Sequence, residues 1–217
     1  WWLDLLGVLA TRRAWPGFWV NLGMPGGLLA FLGLWAIPFL RDAHGLERSA
    51  ASLYTSVGLA GFAVGALCCG WISDRLRRRK PPLIAGALLY GLAWLGIGYL
   101  RWTPGAVGML WFALLGFGAG AFVLTFAGAR EVVAPALAGM AIALVNTGAF
   151  LGAALLQPLL GRIMDATWSG AMANGVRVYG AADYRAGFGP MLAGAALAVL
   201  ASLFFHETRC RNLAAGD

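Results

Sequence analysis

Six continuous apolar runs, near residues 17–40, 50–72, 82–100, 105–128, 138–161 and 185–206, constrain this chain more than any other feature. A hydrocarbon core about 30 Å thick is crossed by roughly 20 apolar residues in helix, and each run has that length. Barrel strands would alternate polar and apolar residues over about 10 positions, whereas these runs stay apolar for far longer. Helices therefore follow. Of the 217 residues, 60% are hydrophobic and only 12% charged, which excludes a water-soluble globule. The 32 glycines allow helices to approach closely, and the 10 tryptophans suit headgroup levels. The sequence reads as an all-α membrane protein with six transmembrane helices and no internal soluble domain.

Charge gives an orientation. With loops assigned to alternate sides, Arg12, Arg13, the Arg75–Lys80 cluster, Arg130, Arg209 and Arg211 share one side, and Arg41, Arg48, Arg101, Arg162, Arg177 and Arg185 the other. The formal charge of +7 is thus weighted to the first side. The positive-inside rule puts that side, and both chain ends, in the cytoplasm, as expected for a cell (inner) membrane protein. Because the bases lie in short gaps between apolar runs, they read as topology signals and not as a nucleic-acid surface. Cys68 and Cys69 are adjacent in an apolar run and Cys210 lies in the tail, which offers neither a disulfide framework nor metal-ligand spacing. Arg12 and Arg13 follow the apolar opening stretch, the wrong order for a signal peptide. That opening is too short to span and is interrupted by Asp4, so it reads as interfacial.

The second and fifth runs echo one another at an offset of 91 residues: Thr55-Ser56 meets Asn146-Thr147, Gly61 meets Gly152, Gly70 meets Gly161 and Asp74 meets Asp165. Three helices separate the copies, so they cross in opposite directions. This predicts a 3+3 inverted repeat, a transporter architecture.

Between the second and third runs the chain reads Gly70-Trp71-Ile72-Ser73-Asp74-Arg75-Leu76-Arg77-Arg78-Arg79-Lys80-Pro81. This resembles the signature loop of the major facilitator superfamily: Gly, three residues, Asp, a basic residue, any residue, Gly, any residue and two basic residues. Gly70, Asp74, Arg75, Arg79 and Lys80 match, whereas Arg77 stands where the family usually has glycine. The His206-Glu207-Thr208-Arg209 ending is similar to a Pro-Glu-Thr-basic ending in the family. The fifth run, from Asn146-Thr147-Gly148 through Gln157-Pro158-Leu159-Leu160-Gly161 to Asp165, is similar as well. The resemblance implies the second six-helix half of a twelve-helix transporter. Residues 1–16 would end a central linker, 17–206 form the half, and 207–217 a cytoplasmic tail. It also implies a cytoplasmic gate made by Gly70, Asp74, Arg75, Arg79 and Lys80, with Arg130 and its neighbour Glu131 as partners. The physical alternative is that the bases only fix topology and snorkel to headgroups.

Polar side chains concentrate in the first, second, fourth and fifth runs, and the third and sixth are bland, as expected of lipid-facing members of each triplet. The substrate-cavity candidates are Asn146, Gln157, Trp35, Asn21, Tyr54, Thr55 and Thr125. Each has a structural alternative, since Asn and Gln in membrane helices also bond neighbouring helices and Thr its own backbone. Gly61 with Gly65, Gly116 with Gly120, and Gly148 with Gly152 read as helix packing. Pro25-Gly26-Gly27 should loosen the first helix, and Arg162 with Asp165 reads as a local pair. All acids lie at helix ends, in loops or in terminal segments, so no intramembrane proton relay is evident. No catalytic, metal-binding or cofactor-binding set is present in the pattern, and an enzyme is not expected. The expected function is transport of a small solute by alternating access, in partnership with a bilayer and either a missing N-terminal half or a second copy. The alternative from another class is a membrane scaffold or sensor that kept the fold.

Overall fold

The computed structural model describes residues 1–173 and 175–213. A short helix α1 (Trp2–Ala10) precedes six helices long and apolar enough to cross a membrane: α2 (Trp15–His44), α3 (Arg48–Leu76), α4 (Lys80–Tyr99), α5 (Ala106–Glu131), α6 (Pro135–Thr167) and α7 (Ala181–Leu203). Each of the six runs read from sequence falls within or nearly coincides with one of them. Six crossings return the chain to its starting side, so α1 and the tail share what is called here the terminal face. A two-stranded hairpin, Met172–Ala173 with Val176–Arg177, was not expected and lies on the opposite face.

Glycines set the closest approaches. A Cβ on Gly61 or Gly65 of α3 would collide with the carbonyls of Ala113 and Phe117 on α5. In return, one on Gly116 would overlap the Gly58 carbonyl, and one on Gly120 would meet Phe62 and Ala66. Gly148 and Gly152 of α6 likewise face Phe18 and Leu22 of α2. All three glycine pairs are packing contacts, as read from sequence.

The helix pairing has the inverted symmetry. α3 packs on α5 as α6 packs on α2, α4 packs on α5 as α7 packs on α2, and α4 meets α7 across the centre. Aromatic side chains fill that centre: Phe31, Trp94, Phe112, Phe188 and Tyr184 are fully buried, and Phe31 lies 4.9 Å from Trp94 and 5.7 Å from Phe112.

Helix α2 is not uniform. Pro25 lacks the N–H that would bond the Asn21 carbonyl, and the helix is interrupted at Met24, where ψ reaches −79°. Gly26 and Gly27 then pass against the α6 backbone and the Tyr90 hydroxyl. A π-helical turn at Phe31–Trp35, absent from the sequence reading, follows. Such a turn adds a residue per bond and rotates everything beyond it.

Burial is uneven. In their most apolar stretches α2 is 67% buried, but α3 only 17% and α6 only 33%. These two helices carry the copies of the echo, and they are the ones left uncovered.

Candidate functional site

The motif after α3 folds around one guanidinium. Arg79 is only 5% exposed. Its Nη2 donates to Glu131 Oε1 at 2.8 Å and its Nε to Oε2 at 3.4 Å, a two-pronged contact with the end of α5. Nη1 reaches Asp74 Oδ1 at 2.5 Å and Ser73 Oγ at 3.0 Å at the end of α3. The tail closes the cluster: Thr208 donates its hydroxyl to Glu131. Glu207 accepts the backbone N–H groups of Arg79 at 2.9 Å and Lys80 at 3.1 Å. Burial pulls the Arg79 guanidinium downward, but the hydrogen bonds to Glu131 and Asp74 outweigh it and the net shift is upward, so the group stays charged. Burial pushes the Glu207 carboxyl up, yet the N–H groups of Arg79, Arg209 and Lys80, with the charge of Arg78, hold it below its ordinary value.

The gate residues read from sequence thus divide. Arg79 is the hub, Asp74 is its exposed partner at 69% side-chain exposure, and Lys80 takes part through its backbone. Arg75 is exposed and lies 6.0 Å over the Trp71 ring. Arg130 does not join this cluster among the described residues: its side chain is exposed and its neighbour Glu131 faces inward, because one residue along a helix turns a side chain by about 100°. The Arg130 carbonyl accepts the Asn212 side-chain amide. A Cβ on Gly70 would meet nothing within 4 Å, so its expected role in close packing is not realised among the described residues. Ser73, Glu207 and Thr208 were missing from the sequence-derived set; the Glu-Thr-basic ending was the available signal.

The cavity candidates also divide. Asn21 and Thr125 are fully buried and bonded together: Asn21 Nδ2 donates to Thr125 Oγ1 at 3.1 Å and to the Val145 carbonyl at 3.0 Å, joining α2, α5 and α6. Within this chain they tie the three helices together. Tyr54 is 2% exposed; its hydroxyl accepts the Gly105 N–H at 2.6 Å and so pins the loop before α5. Thr55 bonds its own helix at Ser52.

Asn146 and Gln157 are half-buried on α6, on the stripe of Phe150, which is 63% exposed. Trp35 Nε1 donates to the Gln157 carbonyl at 3.0 Å and borders a cleft of about 520 Å³ on the opposite face. Arg41, Asp42, Arg48, Arg177 and Tyr179 also line that cleft. Asp165 pairs there with Arg177 at 2.6 Å and accepts the Tyr179 hydroxyl, which corrects the expected Arg162 pairing. The hairpin turn, with Gly175 at φ 76°, folds Arg177 back over α6, where it also stacks 4.6 Å from Trp168. Asp74 and Asp165, equivalent in the echo, therefore each bind an arginine of the following loop.

Comparison with known proteins bears on these features. The family model described as Major Facilitator Superfamily matches residues 6–213. A curated relative, a chloramphenicol resistance protein of Pseudomonas aeruginosa, is 32% identical over 155 residues, covering 70% of this chain and 36% of the relative. The fold is similar to the E. coli xylose transporter XylE in a partially occluded inward-open conformation: TM-score 0.65, 16% identity, 91% of this chain and 49% of that one. The inward-open form gives a TM-score of 0.64 at 15% identity, over 89% of this chain and 46% of that one. The chain thus spans about half the length of XylE and a smaller share of the resistance protein.

Proposed function

The chain belongs to the Major Facilitator Superfamily and is an integral membrane protein, and from that membership we propose that it forms one six-helix half of an alternating-access transporter for a small solute. The observation that carries this reading is the exposure of α3 and α6, 17% and 33% buried in their apolar stretches. Their exposed faces meet a homologous six-helix half, and the solute passes between the halves. Asn146 and Gln157 on the exposed stripe of α6 contact it. Both are neutral, and the curated relative's name refers to chloramphenicol; together these support an uncharged, drug-sized solute moving outward. The terminal face is cytoplasmic, since it carries the larger share of basic residues.

The Arg79 cluster makes one block of the α3 end, the α5 end and the tail. Arg79 thereby joins the ends of α3 and α5 and the tail, a positioning role within this half. Gly70 and Asp74 are one helical turn apart and share a face of α3. That face meets the other half when the cytoplasmic side closes, and Arg79 holds Asp74 in place for it.

The test is accumulation of labelled chloramphenicol in cells lacking drug efflux, with and without the full-length protein. Lower accumulation with the protein, reversed by Asp74→Asn and by Asn146→Ala, is the expected result. Unchanged accumulation in both variants would remove these site assignments, and no effect of the wild-type protein would favour the scaffold reading for this solute class.

A further inference from the structure

Four arginines that the transport reading leaves unused converge at the terminal face. Arg77 and Arg78, beyond the end of α3, and Arg209 and Arg211, beyond the end of α7, line one cavity of about 400 Å³ with Leu76. Their side chains are exposed, and among the described residues none of the four forms an ion pair.

Their backbones are nonetheless held in place. The Arg77 N–H donates to the Asp74 carbonyl at 3.2 Å, Arg78 to Ser73 at 3.1 Å and Arg211 to Thr208 at 3.1 Å, while Arg209 donates to Glu207 Oε1 at 3.0 Å. Beyond them, the Leu213 N–H bonds the Glu131 carbonyl, which ties residues 207–213 to the end of α5. Arg77 and Arg209 both adopt left-handed backbone, at φ 50° and 53°, a region L side chains seldom occupy. Arg77 does so at the position where the family motif carries glycine. Strained non-glycine residues of this kind cluster where a side chain has work to do.

Four guanidiniums around one space repel one another unless an anion sits among them. Two acids lie near: Glu207, which feels the charge of Arg78 but whose oxygens already accept the N–H groups of Arg79, Lys80 and Arg209, and Asp74, which is paired with Arg79, so they offset only part of the four charges. Planar guanidinium forks match the tetrahedral oxygens of phosphate, and the site lies at the membrane surface, where anionic headgroups gather. We propose that Arg77, Arg78, Arg209 and Arg211 form a binding site for a phosphate group, carried by an anionic phospholipid or by a soluble phosphate compound.

The test uses the full-length protein in detergent with two probes: phosphatidylglycerol against phosphatidylcholine by native mass spectrometry, and inorganic pyrophosphate by titration calorimetry. The variants are Arg209→Ala with Arg211→Ala, and Arg77→Gly. The glycine variant removes a guanidinium while relaxing the backbone, so its melting temperature should hold or rise. Preferential retention of phosphatidylglycerol, weakened about tenfold in the double variant and by a smaller factor in Arg77→Gly, assigns the lipid. Pyrophosphate binding weakened in the same order assigns a soluble phosphate. Either result supports the site. Indifference between the two lipids together with no pyrophosphate binding would overturn it, as would binding that is unchanged in Arg77→Gly at an undiminished melting temperature.

Discussion

Arg79 decides the character of the terminal face. Both partners of its contact with Glu131 are under 10% exposed, at 6% and 8%, and removing one member of such a pair strands the other charge. Arg79→Ala should therefore lower unfolding stability by about 3–5 kcal/mol in a denaturant titration. A loss below about 1 kcal/mol would place the pair with ordinary surface bridges. Arg79→Lys should recover only part, because a lysine has no fork to span both oxygens of Glu131 while reaching Asp74. Glu207 gives a pH dependence. Its pKa is depressed below the usual 4.5 in the folded protein, so its contribution is present above that value and is lost as pH falls through the lower folded one. Melting temperature should drop in that acid window for the wild type and drop less for Glu207→Gln; parallel curves would contradict the assignment. The motif residues were legible in sequence because their spacing is fixed. That Glu131 and not Arg130 turns inward was not, since spacing in a loop does not give the phase of the helix that meets it.

Among the helices, glycine carries two different meanings, and mutation separates them. A methyl on Gly116 would overlap the Gly58 carbonyl, so Gly116→Ala should force α3 and α5 apart at a cost of about 1–3 kcal/mol, read by thermal melting in detergent. Gly70 has open space around it. Gly70→Leu should leave stability within about 0.5 kcal/mol but slow transport, if that face closes against another half; full transport in Gly70→Leu would remove it from the gate. The six helices and their lengths were legible because an apolar run of that size has one stable arrangement in a bilayer. The echo at 91 residues foresaw the mirrored pairing of α3 with α5 and α6 with α2. The π turn at Phe31–Trp35 and the hairpin at Met172–Arg177 were not legible. The first lies in an apolar stretch whose composition does not distinguish an α from a π turn, and the second depends on a loop pairing only two residues per strand. Asn21 and Thr125 show that polarity alone does not separate a helix-joining residue from a cavity-lining one: in this chain they bond to each other across α2 and α5.

For the whole molecule, the exposed α3 and α6 and the tied-down terminal face are the features on which the proposed movement against a second half rests. The motif and the repeat in the sequence led to the expectation of a half; which surfaces stay uncovered emerged only from the packing. The most direct test is the sidedness of labelling at position 146. A full-length protein with Cys68, Cys69 and Cys210 replaced and Asn146→Cys introduced is reconstituted in one orientation, and a membrane-impermeant thiol reagent is applied to each face. If Asp74 helps to close the terminal face, as proposed, Asp74→Asn should raise labelling from that face and lower it from the opposite one. Labelling whose sidedness is the same with and without Asp74→Asn would contradict the account.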